Sequence, residues 1–120
     1  YHFNPIDFAL VQLRKGDFRS NLALASDESS ASSPFTIIMT SLAWRNAWKY
    51  EARSYRHWFW DSGVITGNLL ATCASEGLNC KLVMGFVDTL VDKLLGLEEL
   101  KEATVGLGVV GAGLGPRAQA

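Results

Sequence analysis

The order of apolar patterns along the chain predicts an α+β fold. Short apolar runs rich in β-branched residues, led by Phe35 to Thr40, read as buried strands. Helical patterns separate these runs, and strands alternating with helices build one layered sheet. A third observation is the stretch from Glu51 to Glu76, which is apolar on most sides of a helix, as a buried central helix is.

The elements follow in order. Asn4-Pro5 is a helix-start pair, with Asn as N-cap and Pro at the first helical position. Ile6, Phe8, Ala9, Leu10, Val11 and Leu13 follow, and Gly16 is a stop, so a first helix is expected there. A second, short helix is expected from about Asp17 to Ala25. Residues 26–34 are Ser-rich and without periodicity, and read as a flexible loop.

The strand at Phe35 to Thr40 comes next. Ser41 to Tyr50 reads as a connection or an irregular first helical turn. The long helix then ends at Gly77. Gly63, Gly67, Ala71 and Ser75 recur every fourth residue on it and form one narrow face. Glycine inside a helix costs about 0.5–1 kcal/mol against alanine, so that face predicts close approach by another backbone.

Cys80 to Met84 is a strand, broken at Gly85-Phe86. Val87 to Leu95 or Leu97 is an amphipathic helix, and Ala103 to Gly111 is a last strand. Residues 112–120 read as a flexible tail. No internal repeat is present.

The bulk composition sets limits. The chain has 120 residues, one domain or part of one. It begins at Tyr1 without Met, which reads as a piece of a longer polypeptide. With 48% apolar and 19% charged residues it has ordinary globular composition. A net charge of -1 argues against an electrostatic nucleic-acid binder. No apolar run reaches the roughly 20 residues of a membrane span, and no signal peptide is seen. Cys73 and Cys80 are too few for a disulfide framework, and read as reduced, mostly buried thiols of a cytoplasmic protein. His2 and His57 lack the spaced partners that a metal site needs.

Two stretches carry candidate chemistry. Gly106-Leu107-Gly108-Val109-Val110-Gly111 spells a dinucleotide fingerprint, but that fingerprint must open a helix and none is expected here. A glycine-containing strand is the better reading. Lys49-Tyr50 lies between a buried strand and a buried helix, flanked by Trp48, Arg45, Arg53 and Arg56. Strand ends aim loops at one rim of an open sheet. A tyrosine hydroxyl exchanges protons, and a lysine among arginines has its charged form disfavoured and can act as a base. The plain alternative is a surface lysine beside a packed tyrosine.

Around this pair the sequence resembles a known family. Arg45-x-x-Trp48-Lys49-Tyr50-x-x-Arg53-x-Tyr55-Arg56, then Asp61-x-Gly63, Asn68-Leu69 and Gly77-Leu78, is similar to the SagB-type dehydrogenases of the FMN-dependent nitroreductase superfamily. The opening Tyr1-His2-Phe3-Asn4-Pro5 and the later Gly85-Phe86, Leu94-Leu95-Gly96-Leu97 and Val109-Val110-Gly111 also fit. The resemblance implies a nitroreductase-like α/β/α fold of three layers, present here as one partial domain, 1–120, from its C-terminal portion. It implies FMN at a homodimer interface, or assembly with a chain that supplies the N-terminal half, and a peptide or carrier-bound substrate. Many family members oxidise peptide thiazolines or oxazolines to azoles.

The family's catalytic pair falls on Lys49 and Tyr50, which would remove a ring proton while hydride passes to flavin N5. The segment beside the flavin falls on Val83, Met84 and Gly85, and Arg117 is the late basic residue available to the phosphate. The sequence departs from the family where Met84 stands in place of a common Glu and Val64 in place of a common His. The family's Arg/Ser-rich phosphate segment is not in this sequence. Two other functions stay open: a generic NAD(P)H-dependent nitroreductase or quinone reductase, and a non-catalytic dimerisation fragment or degenerate paralogue.

Overall fold

The computed structural model describes residues 1–111. The tail expected over 112–120, with Arg117, lies outside the described residues.

The first element differs from expectation. His2–Asn4 (β1) and Ala9–Val11 (β2) form an antiparallel hairpin, with Phe3 opposite Leu10. The Asn4 side-chain oxygen does accept the Ile6 N–H at 3.0 Å, the bond an N-cap makes. The same bond also closes an Asx turn. Asn4 donates to Asp7 at 2.8 Å, and Phe8 sits at φ 49°, so no helix propagates. The Phe3 and Phe8 rings meet edge-on across the hairpin at 5.5 Å.

Arg19–Ala25 (α1) is the expected second helix and buries Leu22 and Ala25. The Ser-rich stretch read as an irregular loop contains a helical turn, Ser29–Ser32 (α2). The Asp27 carboxylate accepts the Ser29 N–H at 2.9 Å and starts it. Ser30 and Ser33 are fully buried, and serine is small enough to fill that space beside α1.

Phe35–Leu42 (β3), Cys80–Val83 (β4) and Glu102–Val110 (β5) form one sheet in the order β3-β5-β4. Both outer strands run antiparallel to β5, so β3 and β4 point the same way. Ala43–Tyr50 (α3) follows β3, a 3₁₀ turn follows at Glu51–Arg53, and Ser54–Ser75 (α4) is the long helix. Asp88–Leu95 (α5) lies between β4 and β5. Gly77 at φ 67° and Gly96 at φ 73° end the two helices left-handed, each followed by a bond back to the last turn.

The central strand β5 separates two unlike faces. Leu107 and Val109 meet Leu22, Ala25, Val83 and Val91, the core beneath α1 and α5. Gly106 and Gly108 alternate with them and face the other way. A side chain at Gly108 would begin 2.6 Å from the Leu69 methyl of α4, so α4 lies on bare backbone. The result is three layers: α1 and α5, the sheet, and α4.

Among the described residues nothing makes the close approach predicted at the small-residue face of α4; the close contact is on another side of the helix, at Leu69, and its glycine is in the strand. Gly63 and Gly67 have no atom within 4 Å of where a Cβ would sit, among the described residues. The buried side of α4 is Ser54, Ser62, Thr66 and Cys73. Ser62 and Thr66 hydroxyls bond to carbonyls one turn back, so they enter an apolar interface satisfied. The other side leaves Trp60, Val64 and Ile65 exposed.

A register shift falls between Met39 and Thr40 of β3. There Thr104 of β5 has lost β4 as a neighbour, since that pairing stops at Val83 opposite Leu107. Asp92 of α5 replaces it, accepting the Thr104 N–H at 3.0 Å and its hydroxyl at 2.6 Å.

Gly111 closes the sheet at φ 119°, and a Cβ there would fall 2.4 Å from the Pro34 ring. Gly111→Ala should lower unfolding free energy by about 1–3 kcal/mol, since left-handed strain and a rigid neighbour add. Urea unfolding measures this, and an unchanged midpoint would refute the packing described.

Candidate functional site

Because β3 and β4 are parallel, both leave the sheet in the same direction, β3 at the level of Glu102 and β4 five residues away along β5, at Leu107. From the first comes α3, ending in Lys49 and Tyr50. From the second come Met84 and Gly85. Both stretches thus follow the C-terminal ends of parallel strands.

α3 buries no residue and leaves Trp44 and Trp48 exposed. Its start is fixed by the Ala43 N–H bonding to the Lys101 carbonyl at 3.0 Å. It stops because Glu51 takes φ 47°, ψ -129°, a region that costs a non-glycine residue about 1–3 kcal/mol. The Ser54 hydroxyl donates to the Glu51 carbonyl at 2.7 Å and holds that kink. Lys49 and Tyr50 are thus the last residues before a strained break.

Tyr50 is half-buried and Lys49 exposed. The Lys49 ammonium lies 5.6 Å from the Tyr50 ring centre. On Tyr50 stacks the His57 imidazole, 4.4 Å between centres and 30° between planes. Trp60 closes on His57 edge-on at 5.0 Å. Sequence reasoning missed His57, because it looked for ligand partners rather than for rings. The six residues between Tyr50 and His57 span a helix break that no periodicity predicts.

Val83 is buried in the core, so only its backbone is free to take part in a site. Met84 and Gly85 are exposed. A Cβ on Gly85 would meet nothing within 4 Å, and no backbone hydrogen bond ties Met84 or Gly85 to other described residues. Met84 and Met39 both close over Gly106. Met39 in turn lines a cavity of about 90 Å³ with Thr40, Ser41, Asn46, Trp58 and Asp61. The buried Trp58 indole N–H has no acceptor there among the described residues. A wider groove of about 410 Å³ lies on the opposite face, where Arg14, Phe18, Leu90 and Lys93 are part of its wall. It holds none of the residues singled out in the sequence.

Electrostatics bear on β4, which leads into Met84 and Gly85. Lys81 donates to Asp27 at 2.8 Å and, with Ser29, holds that carboxyl below the usual carboxylate range. Asp17 is lowered to about 2 by its bonds from Arg19. Burial, and then the neighbouring Cys73 thiol, pushes the Cys80 thiol up. Both cysteines are free thiols, Cys73 buried and Cys80 half-buried. Among the described residues, no three of His, Cys, Asp or Glu come together as a metal centre needs. None of the described helices is long and apolar enough to cross a membrane.

The model of the nitroreductase family matches residues 3–112. The chain belongs to the nitroreductase family. An Anabaena variabilis protein assigned as a nitroreductase superposes with a TM-score of 0.76 at 29% identity, over 81% of this chain and 20% of that one. A chain of the Escherichia coli microcin synthetase McbBCD complex, with truncated pro-MccB17 bound, superposes with a TM-score of 0.77 at 20% identity. That match covers 92% of this chain and 43% of the other. This nitroreductase-family chain thus spans less than half the length of either. No curated protein matches the sequence.

The Asp27–Lys81 pair gives a pH test. A carboxyl lowered on folding contributes stability above its unfolded pKa of ~3.9, and that contribution is lost as pH falls through the lower folded value. Asp27→Asn should therefore lower Tm at neutral pH, and the gap to wild type should narrow towards about pH 2. A gap equally wide at both pH values would show that the pair is not the cause.

Proposed function

We propose that this chain is the C-terminal part of an FMN-dependent dehydrogenase that oxidises azoline rings of a peptide or carrier-bound substrate. The observation that carries the reading is the Lys49-Tyr50 pair, set at the sheet rim beside a strained break in a nitroreductase-family fold. The McbBCD complex, with its bound pro-MccB17, is a structural neighbour whose likeness supports the fold.

The residues present fit the flat end of FMN. The exposed Met84-Gly85 backbone, free of other bonds, would hold the ring edge, and the absence of a side chain at Gly85 lets a planar ring lie close. Bound flavin would supply the two-electron acceptor. The chain's own part is acid–base and positional. The two hydrogens lost from an azoline leave as a proton and a hydride. Lys49, exposed at the end of α3, takes the proton directly or through the Tyr50 hydroxyl beside it. Among the described residues nothing bonds that hydroxyl, so it is free to relay. A nicotinamide-driven nitroreductase has no use for such a base, which is why the azoline reading is preferred.

Assembly belongs to the same proposal. The open side of α4, with Gly63, Gly67, Val64 and Ile65, fits a second copy or a chain carrying the rest of the domain.

In the full natural polypeptide, Lys49→Ala and Tyr50→Phe should each keep the flavin spectrum. Each should cut azole formation by ~10²–10⁴-fold, the usual worth of a general base. Loss of two hydrogens per ring, read by mass spectrometry on a thiazoline peptide, measures it. Wild-type turnover in both variants would end the assignment, and a colourless purified protein would end the flavin reading.

A further inference from the structure

We propose that His57 is a positioning residue that fixes the Tyr50 ring for proton transfer; this rests on the catalytic reading of Tyr50 above. The argument starts from what else holds that ring. α3 buries nothing, and Glu51 breaks the helix directly after Tyr50. The Tyr50 hydroxyl has no hydrogen-bond partner among the described residues, so nothing polar orients the side chain. Its half-burial comes at the junction with α4, where the His57 face lies 4.4 Å from it at 30°.

Near-parallel rings at that separation are in the attractive range for stacked aromatics, and the contact removes freedom from both torsions of the tyrosine. His57 is itself fixed by Trp60, edge-on at 5.0 Å. Trp60, His57 and Tyr50 therefore form one relay of ring contacts. It runs from the well-anchored long helix to the poorly anchored end of α3. The stack bears on the ring face and leaves the hydroxyl free. That is what a group must do if it orients an acid–base residue without competing for its proton. Lys49 lies on the same ring at 5.6 Å, so a Tyr50 that swings takes the Lys49–Tyr50 geometry with it.

The test uses the full natural polypeptide with a thiazoline peptide. His57→Ala should lower kcat by ~10-fold with KM and flavin content unchanged, since misplacement of a reacting group by about 1 Å costs up to ~10²-fold. His57→Phe, which keeps a flat ring, should recover most of that loss. In a Tyr50→Phe background, His57→Ala should have no further effect, because the two act as one unit. An unaffected His57→Ala, or an effect that adds fully to Tyr50→Phe, overturns the proposal.

A measurement independent of turnover accompanies these. The His57 ring protons should resonate upfield in the proton NMR spectrum and return to ordinary positions in Tyr50→Leu. Ordinary positions in the wild type also overturn the proposal. The two readings fail in different ways. Wild-type turnover in Tyr50→Phe removes the role of Tyr50 and this one with it. A slowed Tyr50→Phe beside an unaffected His57→Ala removes only this one.

Discussion

The structure depends on side chains that are missing from one face of a strand. β5 carries Leu107 and Val109 towards α1 and α5, and only hydrogen atoms towards α4 at Gly106 and Gly108. A single added methyl at Gly108 would collide with Leu69. The strand loses local stability, since glycine weakens strand interiors. In exchange α4 approaches closely, and dispersion attraction, which fades within an ångström of a gap, is regained along the contact. The glycines that spell a nucleotide fingerprint in the sequence are spent on packing. The distance of α4 from the sheet then sets where α3 can end, because Tyr50 is held from α4.

The site is a place where local rules are broken. Glu51 occupies backbone space suited to glycine, Trp58 buries an N–H without an acceptor among the described residues, and α3 exposes two tryptophans. The rules are broken in other places too, with Phe8 and Leu100 left-handed and the Ser33 and Thr36 hydroxyls buried without a partner among the described residues, while left-handed glycines end helices and Asp92 fills the vacancy in the β5 ladder. The strained Glu51 directly after the Lys-Tyr pair is the one of these that touches the candidate site.

Much of this was legible in the sequence, for identifiable reasons. The three sheet strands and the ends of α4 and α5 rest on β-branched runs and on Gly77 and Gly96, which act locally. The hairpin at β1 and β2 was misread because Asn4 makes the same bond in a turn as in a helix cap. The turn at Ser29–Ser32 was missed because serine carries no apolar periodicity even when buried. The face of α4 was misassigned because its own glycines drew attention, while the ones that matter are some 40 residues later, in β5. The Tyr50–His57 stack depends on a kink, and single-residue kinks leave no period to read.

The central position of β5 has a consequence for how the chain acquires its structure. β3 and β4 never touch; each pairs only with a strand that comes after both of them in the chain. Phe35 meets Val110 across a long intervening segment. Such distant pairing is slow, since loop closure precedes any return in contact energy. On a ribosome adding ~5–20 residues per second, β3 waits several seconds without β5. During that interval α4 has no bare strand to lie against, and its apolar side stays in water. The nascent chain is therefore most vulnerable to self-association in the window just before β5 emerges.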